Sequence, residues 1–554
     1  MSKKTETSPL LANGGDEGGD IHSKLANIRS LMQDTHDSCI NFSYEWRKDQ
    51  LTRLEKLVRD NFEEILDALY QDLGKARCEA GCFEMGSLVS EIEFFSKNLK
   101  SLMEPEDFPS PIGLFPGFSK VTPMPRNGPA VLVIGPSNYP ISLSLMGVAG
   151  SLAAGNPTVL KPSELCPVSA ALLAKYVPQY FEANALQVVG GGIPETTALL
   201  DQEWGMILFT GSERVGKIVA AAAAKTLTPI VLELGGKCPC LVDETCPADI
   251  TQVANRMIWA KTANCGQNCI SPDYAVVHKS KIDALVPELL KTLEKQFGSD
   301  PKQSGLGKLV APGHVTRAIE MLQEVEERAK TDKSIKILVG GSDKCDAKAG
   351  YVAPTLILNA PLDCRVMQEE IFCPILPIVV FETRDEAVNL INSRAGTPLA
   401  FHAFTSSDKV FRELTERCRS GTAVQNDFLV QFVGPYLPFG GLGSSGIGAY
   451  RGANSFKAFS HMLPVVHRPC FPGADLHMLR YQPFGAFKEF ALLKVLPILP
   501  TIPVLRLKIV SKAMVAVVVA VAITQFVPGA DALVHSGRAA GAGFLRKVAD
   551  ALSP

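Results

Sequence analysis

The chain has 554 residues, 46% hydrophobic and 20% charged, enough for two or three domains with cores of their own. Its 55 basic and 57 acidic residues leave a net charge of −2, so it carries no electrostatic footprint for nucleic acid. Its 14 cysteines are spread from Cys39 to Cys470 with no secretory signal ahead of them, which argues against a disulfide framework and sets the expectation of a reducing compartment. Residues 1–23 are polar, glycine-rich and acidic, and are expected to form a disordered tail. Residues 24–104 read as helices, with Leu54, Leu57, Val58, Phe62, Ile65, Leu66 and Leu69 recurring at helical spacing between charges. The proline-rich stretch 105–129 breaks that pattern and is expected to hold loops and an edge strand.

From residue 130 short apolar runs alternate with helical ones. The expected strands are 131–135, 158–162, 186–191, 206–211 and 230–236; helices over 141–154, 168–182, 195–202 and 213–227 lie between them. This alternation predicts an α/β fold with a doubly wound parallel sheet, which binds ligands at the carboxyl ends of its strands. A second alternating series, with strands at 273–278, 336–341, 373–381 and 399–405, predicts a second α/β domain.

Three positions on separate loops have the chemistry of a covalent catalyst: a thiol at Cys269, a carboxylate at Glu233 and an amide at Asn138. Glu233 stands in the apolar run Val231-Leu232-Glu233-Leu234-Gly235-Gly236, where desolvation raises a carboxyl pKa towards that of a neutral-pH base. A structural ion pair is the competing reading. Cys265, four residues before Cys269, is a second candidate nucleophile. Cys238, Cys240, Cys265 and Cys269 can be drawn as zinc ligands, but the CxC and CxxxC spacings and the lack of a histidine cluster argue against a metal.

Gly441-Leu442-Gly443-Ser444-Ser445-Gly446 matches GxGxxG in letters but follows a Pro/Gly-rich loop, not a strand, and is set aside. The better phosphate candidate is Gly211-Ser212-Glu213-Arg214-Val215-Gly216, between a strand and an Ala-rich helix, where helix N–H groups and dipole can face a pyrophosphate. Lys161 and Glu164 close another strand within reach of ribose hydroxyls, and a carboxylate there favours NAD over NADP. Each of these is weak alone.

Together the strings GPSNYP, VLKPSE, FTGSERVGK, LELGGK, NCGQNC, EEIFCP and LPFGGLGSSGIG occur in the order found in the aldehyde dehydrogenase superfamily. The chain resembles that family over roughly residues 24–462. SPDY after Cys269, GAYRGANSFKAFSH and LRYQPF make it similar to class 3, which includes fatty aldehyde dehydrogenases.

The resemblance implies an aldehyde dehydrogenase-like fold. Its cofactor domain would span 24–232, with 105–129 in a small bridging element; 233–422 would be catalytic and 423–468 would return to the cofactor and bridging region. It implies Cys269 as nucleophile, Glu233 as base for thioester hydrolysis, and Asn138 with the Cys269 N–H as oxyanion donors. It further implies Lys161, Glu164, Gly211, Ser212, Gly216, Glu370 and Phe372 as contacts to NAD (or NADP), no metal, an apolar aldehyde substrate and a homodimer. Ser137, Cys373 and Arg451 depart from the family pattern, where an aromatic residue, a glycine and a histidine are usual.

Residues 469–554 form a hydrophobic tail. Prolines at 497, 500 and 503 exclude a regular helix there, and the uncharged run 513–527 is short for a bilayer span. With Arg506, Lys508 and Lys512 beside it, the tail is expected to attach the protein to a membrane with its catalytic domains facing the cytosol.

Overall fold

The structure is a computed structural model that describes residues 21–108, 118–468, 481–490 and 493. The described parts of 1–104 and 123–462 form one compact unit, and those of 105–122 and 463–554 form a second.

The first unit opens with helices Ile21–Asp37, Tyr44–Asp60, Phe62–Leu73 and Ser87–Met103. The first begins inside the stretch expected as a tail, because Ile21 packs on the cluster that holds Leu25, Ile28 and Met32. Ser43 starts the second by accepting the Trp46 N–H at 3.2 Å, the usual N-cap arrangement. The periodic residues Leu54, Leu57, Val58, Ile65, Leu66 and Leu69 are all buried, as their spacing requires. The pattern did not show that Ala80–Gly86 winds as a π-helix, a wider turn often found at functional sites.

The cofactor-side sheet has the order Gly446–Ile447, Ile230–Glu233, Met206–Thr210, Val131–Ile134, Thr158–Lys161, Leu186–Val188. The last five are parallel, and Gly446–Ile447 runs antiparallel to Ile230–Glu233. Chain order reverses between Val131–Ile134 and Met206–Thr210, the switch point of a doubly wound sheet. All four residues of Val131–Ile134 are buried, so a continuous apolar run, not an alternating one, encodes this strand. Helices Ser142–Ala153, Pro167–Tyr180, Ile193–Leu200 and Glu213–Thr226 connect the strands.

The second sheet has the order Lys336–Val339, Thr355–Leu358, Ile375–Phe381, Tyr274–His278, Pro239–Val242, Ala400–Phe404, Thr422–Gln425. Only Lys336–Val339 pairs antiparallel. Three of these strands escaped the sequence reading. Pro239–Val242 starts on a proline and carries a cysteine, Thr355–Leu358 follows a loop proline, and Thr422–Gln425 is a partly exposed edge.

Glu106–Phe108 pairs antiparallel with Phe118–Pro125, and Ser460–His467 completes a three-stranded sheet. The tail run 513–527 and its prolines at 497, 500 and 503 lie outside the described residues. No helix among the described residues is long and apolar enough to cross a membrane.

Candidate active site

The two sheets meet in opposite senses. The cofactor-side sheet presents the carboxyl ends of its strands: Asn138 follows Val131–Ile134, Lys161 ends Thr158–Lys161, Gly211 and Ser212 follow Met206–Thr210, and Glu233 ends Ile230–Glu233. The second sheet contributes residues ahead of its strands: Cys269 before Tyr274–His278, and Glu370 and Phe372 before Ile375–Phe381. Only the link 234–238 separates the strand that ends on Glu233 from the one that begins at Pro239, so base and nucleophile are placed by adjoining pieces of chain.

Glu233 is 2% exposed, and neither of its carboxylate oxygens has a hydrogen-bond partner among the described residues. The structural ion pair weighed from the sequence is therefore not seen. Burial pushes this carboxyl well above its ordinary range. The misleading GxGxxG string has a part here: Gly446 lies opposite Glu233 in the antiparallel pair, and Ser445 O accepts the Leu234 N–H at 3.0 Å. A Cβ on Gly446 would fall 2.4 Å from Leu232 O, so glycine is needed for close backbone approach and not for a phosphate.

Cys269 is partly exposed, whereas Cys265 is fully buried in the apolar core beside Tyr274 and Val276. Only the former can meet a substrate. The Cys269 thiol is pushed up to about 12 by burial and then by the charges of Glu233 and Glu370, against the N–H groups of residues 269 and 270. Its loop is held by side chains. Asn268 donates to the Tyr139 hydroxyl at 3.0 Å and accepts the Ile270 N–H at 3.1 Å. His402, fully buried and held neutral by a pKa lowered to about 4, donates from Nε2 to Ile270 O at 3.0 Å.

The buried Asn138 accepts the Tyr139 N–H on Oδ1 at 3.0 Å and donates one Nδ2 hydrogen to Gln267 O at 3.1 Å. An amide nitrogen carries two hydrogens, so one is left to donate. The Gln267 tether spans from the first sheet's loop to the nucleophile's loop.

The remaining candidates fit a dinucleotide. The Ser212 hydroxyl caps helix Glu213–Thr226 by accepting the Val215 N–H, and the Gly211 N–H donates to Glu233 O at 3.0 Å, which aims the helix N-terminus at the strand ends. Gly216 is buried against Leu234. The Lys161 ammonium is buried and bonded to Glu164. Burial pushes the Glu164 carboxyl up, but Lys161 and Glu164's own N–H leave it below its ordinary range. Glu370 accepts the Gly236 N–H at 3.1 Å, and burial beside Asp273 raises it to about 7. Arg317 donates to the carbonyls of residues 370 and 371, fixing the segment that carries Phe372.

The departures at 373 and 451 are absorbed by packing. Cys373 is buried in the core, its thiol pushed up to about 12. Arg451 is fully buried, 3.3 Å from Glu91 and 4.3 Å over the Phe432 ring.

The aldehyde dehydrogenase family model matches residues 26–465. The chain belongs to the aldehyde dehydrogenase family. It is 39% identical over 469 residues to aldehyde dehydrogenase family 3 member H1 of Arabidopsis thaliana, covering 84% of this chain and 93% of that one. It is 38% identical to the mouse (Mus musculus) "aldehyde dehydrogenase, dimeric NADP-preferring", over 83% and 98%. It is 37% identical to 4,4'-diaponeurosporen-aldehyde dehydrogenase of Staphylococcus aureus (strain NCTC 8325 / PS 47), over 84% and 98%. Among solved structures, the substrate-bound state of Staphylococcus aureus AldH matches with TM-score 0.78 at 34% identity, over 84% of this chain and 99% of that one. The protein is an aldehyde dehydrogenase enzyme with the family's α/β fold.

This aldehyde dehydrogenase also uses residues near its site that the sequence reading did not single out, three of them inside the motif strings NCGQNC and LELGGK. Gln267, Asn264 and His402 tie the nucleophile's loop, and Lys237 joins Asp273 in a buried ion pair behind Glu370. A lysine or glutamine is by default a surface residue, and only the fold shows these buried.

Proposed function

We propose that this aldehyde dehydrogenase oxidises long-chain apolar aldehydes to carboxylic acids through a thioester on Cys269. The observation that carries the reading is the buried, unpartnered carboxylate of Glu233 at a strand end, joined by a short link to the sheet whose loop carries the partly exposed thiol of Cys269. Cys269 Sγ gives up its proton to solvent water and adds to the aldehyde carbon as the thiolate. The carbonyl oxygen takes up the charge and is stabilised by Asn138 Nδ2 and the Cys269 N–H. A nicotinamide dinucleotide would be held by Lys161, Glu164, Gly211, Ser212, Gly216, Glu370 and Phe372, and would supply the acceptor for the hydride lost from the aldehyde carbon. Glu233 then takes a proton from water as its oxygen adds to the thioester carbon. The C–S bond breaks, returning the Cys269 thiolate and releasing the acid.

The support for an apolar substrate comes from a relative's name and from the chain's own tail. A relative is named for a diaponeurosporenal, which also favours the second reading, an isoprenoid or apocarotenoid aldehyde. Glu164 supports NAD, because a carboxylate at the ribose accepts a 2′-hydroxyl and repels a 2′-phosphate. The NADP-preferring relative keeps NADP in the test, and the word dimeric in its name is the support for a homodimer. The tail supports membrane attachment, where such aldehydes partition.

Turnover of aldehydes from hexanal to hexadecanal and of a long polyene aldehyde, each with NAD and NADP, tests this. We expect kcat/KM to rise with chain length. Preference for the polyene selects the second reading, and no turnover of either long aldehyde overturns both.

A further inference from the structure

Lys75 and Glu84 form an ion pair at 1% and 0% side-chain exposure, and nothing in the reaction above uses it. Lys75 lies in the short link between helices Phe62–Leu73 and Arg77–Glu79, and Glu84 lies in the π-helical turn Ala80–Gly86. Lys75 Nζ donates to Glu84 Oε1 at 2.6 Å and to the backbone carbonyl of Asn138 at 2.8 Å, and stands 4.0 Å over the Tyr139 ring. The other oxygen, Glu84 Oε2, accepts the Ser142 N–H at 2.8 Å, where helix Ser142–Ala153 begins. The Asn138 carbonyl also accepts from Asn264 Nδ2 at 2.8 Å. The pair thus grips the Asn138–Ser142 segment at both ends, by the carbonyl of the first residue and the N–H of the last.

We infer that Lys75 and Glu84 are positioning residues for the oxyanion donor, holding the Asn138 backbone so that its side-chain amide stays fixed while charge develops on the substrate oxygen. The inference rests on the assignment of Asn138 as that donor. An oxyanion donor acts only within about 2.7–3.1 Å of the charged oxygen. The Asn138 amide has a single short side chain between it and the backbone, so a shift of the carbonyl moves the donor directly. A buried ion pair is a suitable clamp because its hydrogen bonds are short and charge-assisted.

The test is a cycle among Lys75→Met/Glu84→Gln, Asn138→Ala and the triple variant, in the full-length enzyme with aldehyde and NAD. Removing both charges together leaves neither member of the pair buried alone. Glu84→Gln alone, which retains the acceptor for Ser142, is the milder variant should the double one not fold. Asn138→Ala is expected to lower kcat about 100- to 1,000-fold. Lys75→Met/Glu84→Gln is expected to lower kcat about 10- to 100-fold, the effect of misplacing a catalytic group by about 1 Å. Aldehyde KM and the rate of Cys269 alkylation by iodoacetamide should stay unchanged. In the Asn138→Ala background the same double change should cost almost nothing further. An equal fold-loss in both backgrounds, or full kcat in the charge-free variant, overturns the positioning role alone. Full kcat in Asn138→Ala removes the oxyanion assignment, and the positioning role with it.

Discussion

Glu233 and Cys269 oppose each other before any substrate arrives: the carboxylate needed for the second half of the reaction raises the pKa of the thiol needed for the first. Burial is the larger cause and the Glu233 charge the next, so removing that charge must bring the thiol down. Glu233→Gln should therefore move Cys269 alkylation to lower pH, since only the thiolate reacts, while slowing steady-state acid release by about 100-fold or more as the general base is lost. A stopped-flow burst of reduced cofactor followed by a slow steady state, together with an alkylation–pH profile, checks both arms. Acid release at the wild-type rate would take Glu233 out of the hydrolytic step. This opposition was half legible in the sequence. A glutamate in an apolar run signals a costly carboxylate, but its lack of an ion-pair partner, and the choice of Cys269 over Cys265 by exposure, needed the fold.

At the scale of elements, the loop between helix Ile250–Thr262 and strand Tyr274–His278 decides where the nucleophile stands. Asn264, Cys265 and Gly266 take φ of 53°, 54° and 73° in succession, a left-handed run in which the two non-glycine residues are strained. Gly266 is the position with no alternative, because a Cβ there would meet the Cys373 carbonyl carbon at 2.4 Å and its oxygen at 2.6 Å. Gly266→Ala is thus expected to cost about 1–3 kcal/mol in stability. It should also displace Cys269 relative to Asn138, since Gln267, the next residue, carries the tether. Chemical denaturation measures the first effect, and kcat with intact thiol alkylation measures the second. Unchanged stability would mean that the contact at Cys373 relaxes freely. The five parallel strands of the first sheet were readable because each is a short apolar run closed by Gly, Ser, Pro or a charge. The π-turn at Ala80–Gly86 was not, because helical periodicity over seven residues hardly distinguishes it from an α-helix. Nor was the clamp on Asn138, since Lys75 in a polar stretch has the signature of a solvated surface charge.

Across the whole molecule, every candidate site residue lies between Asn138 and Phe372, and the backbone pairing that frames Glu233 is complete by Gly446–Ile447. In the proposed reading, the hydrophobic tail governs where the enzyme works and not how it reacts. Its composition supports this division: Arg506, Lys508 and Lys512 precede an uncharged run of 15 residues, which as a helix at ~1.5 Å per residue would reach ~22 Å, enough to enter a bilayer but short of a ~30 Å core. A variant lacking residues 485–554 should therefore oxidise a short, water-soluble aldehyde such as hexanal with unchanged kcat. It should no longer sediment with anionic vesicles, and should lose rate on hexadecanal presented in them. Loss of hexanal turnover would bring the tail into the catalytic fold, and continued sedimentation would put the membrane contact on the catalytic body. The same variant separates two routes by which a long aldehyde reaches the site. If a soluble carrier delivers the aldehyde, hexadecanal turnover in the truncated enzyme recovers when detergent replaces vesicles; if the bilayer delivers it, the deficit in vesicles disappears only when the tail is restored.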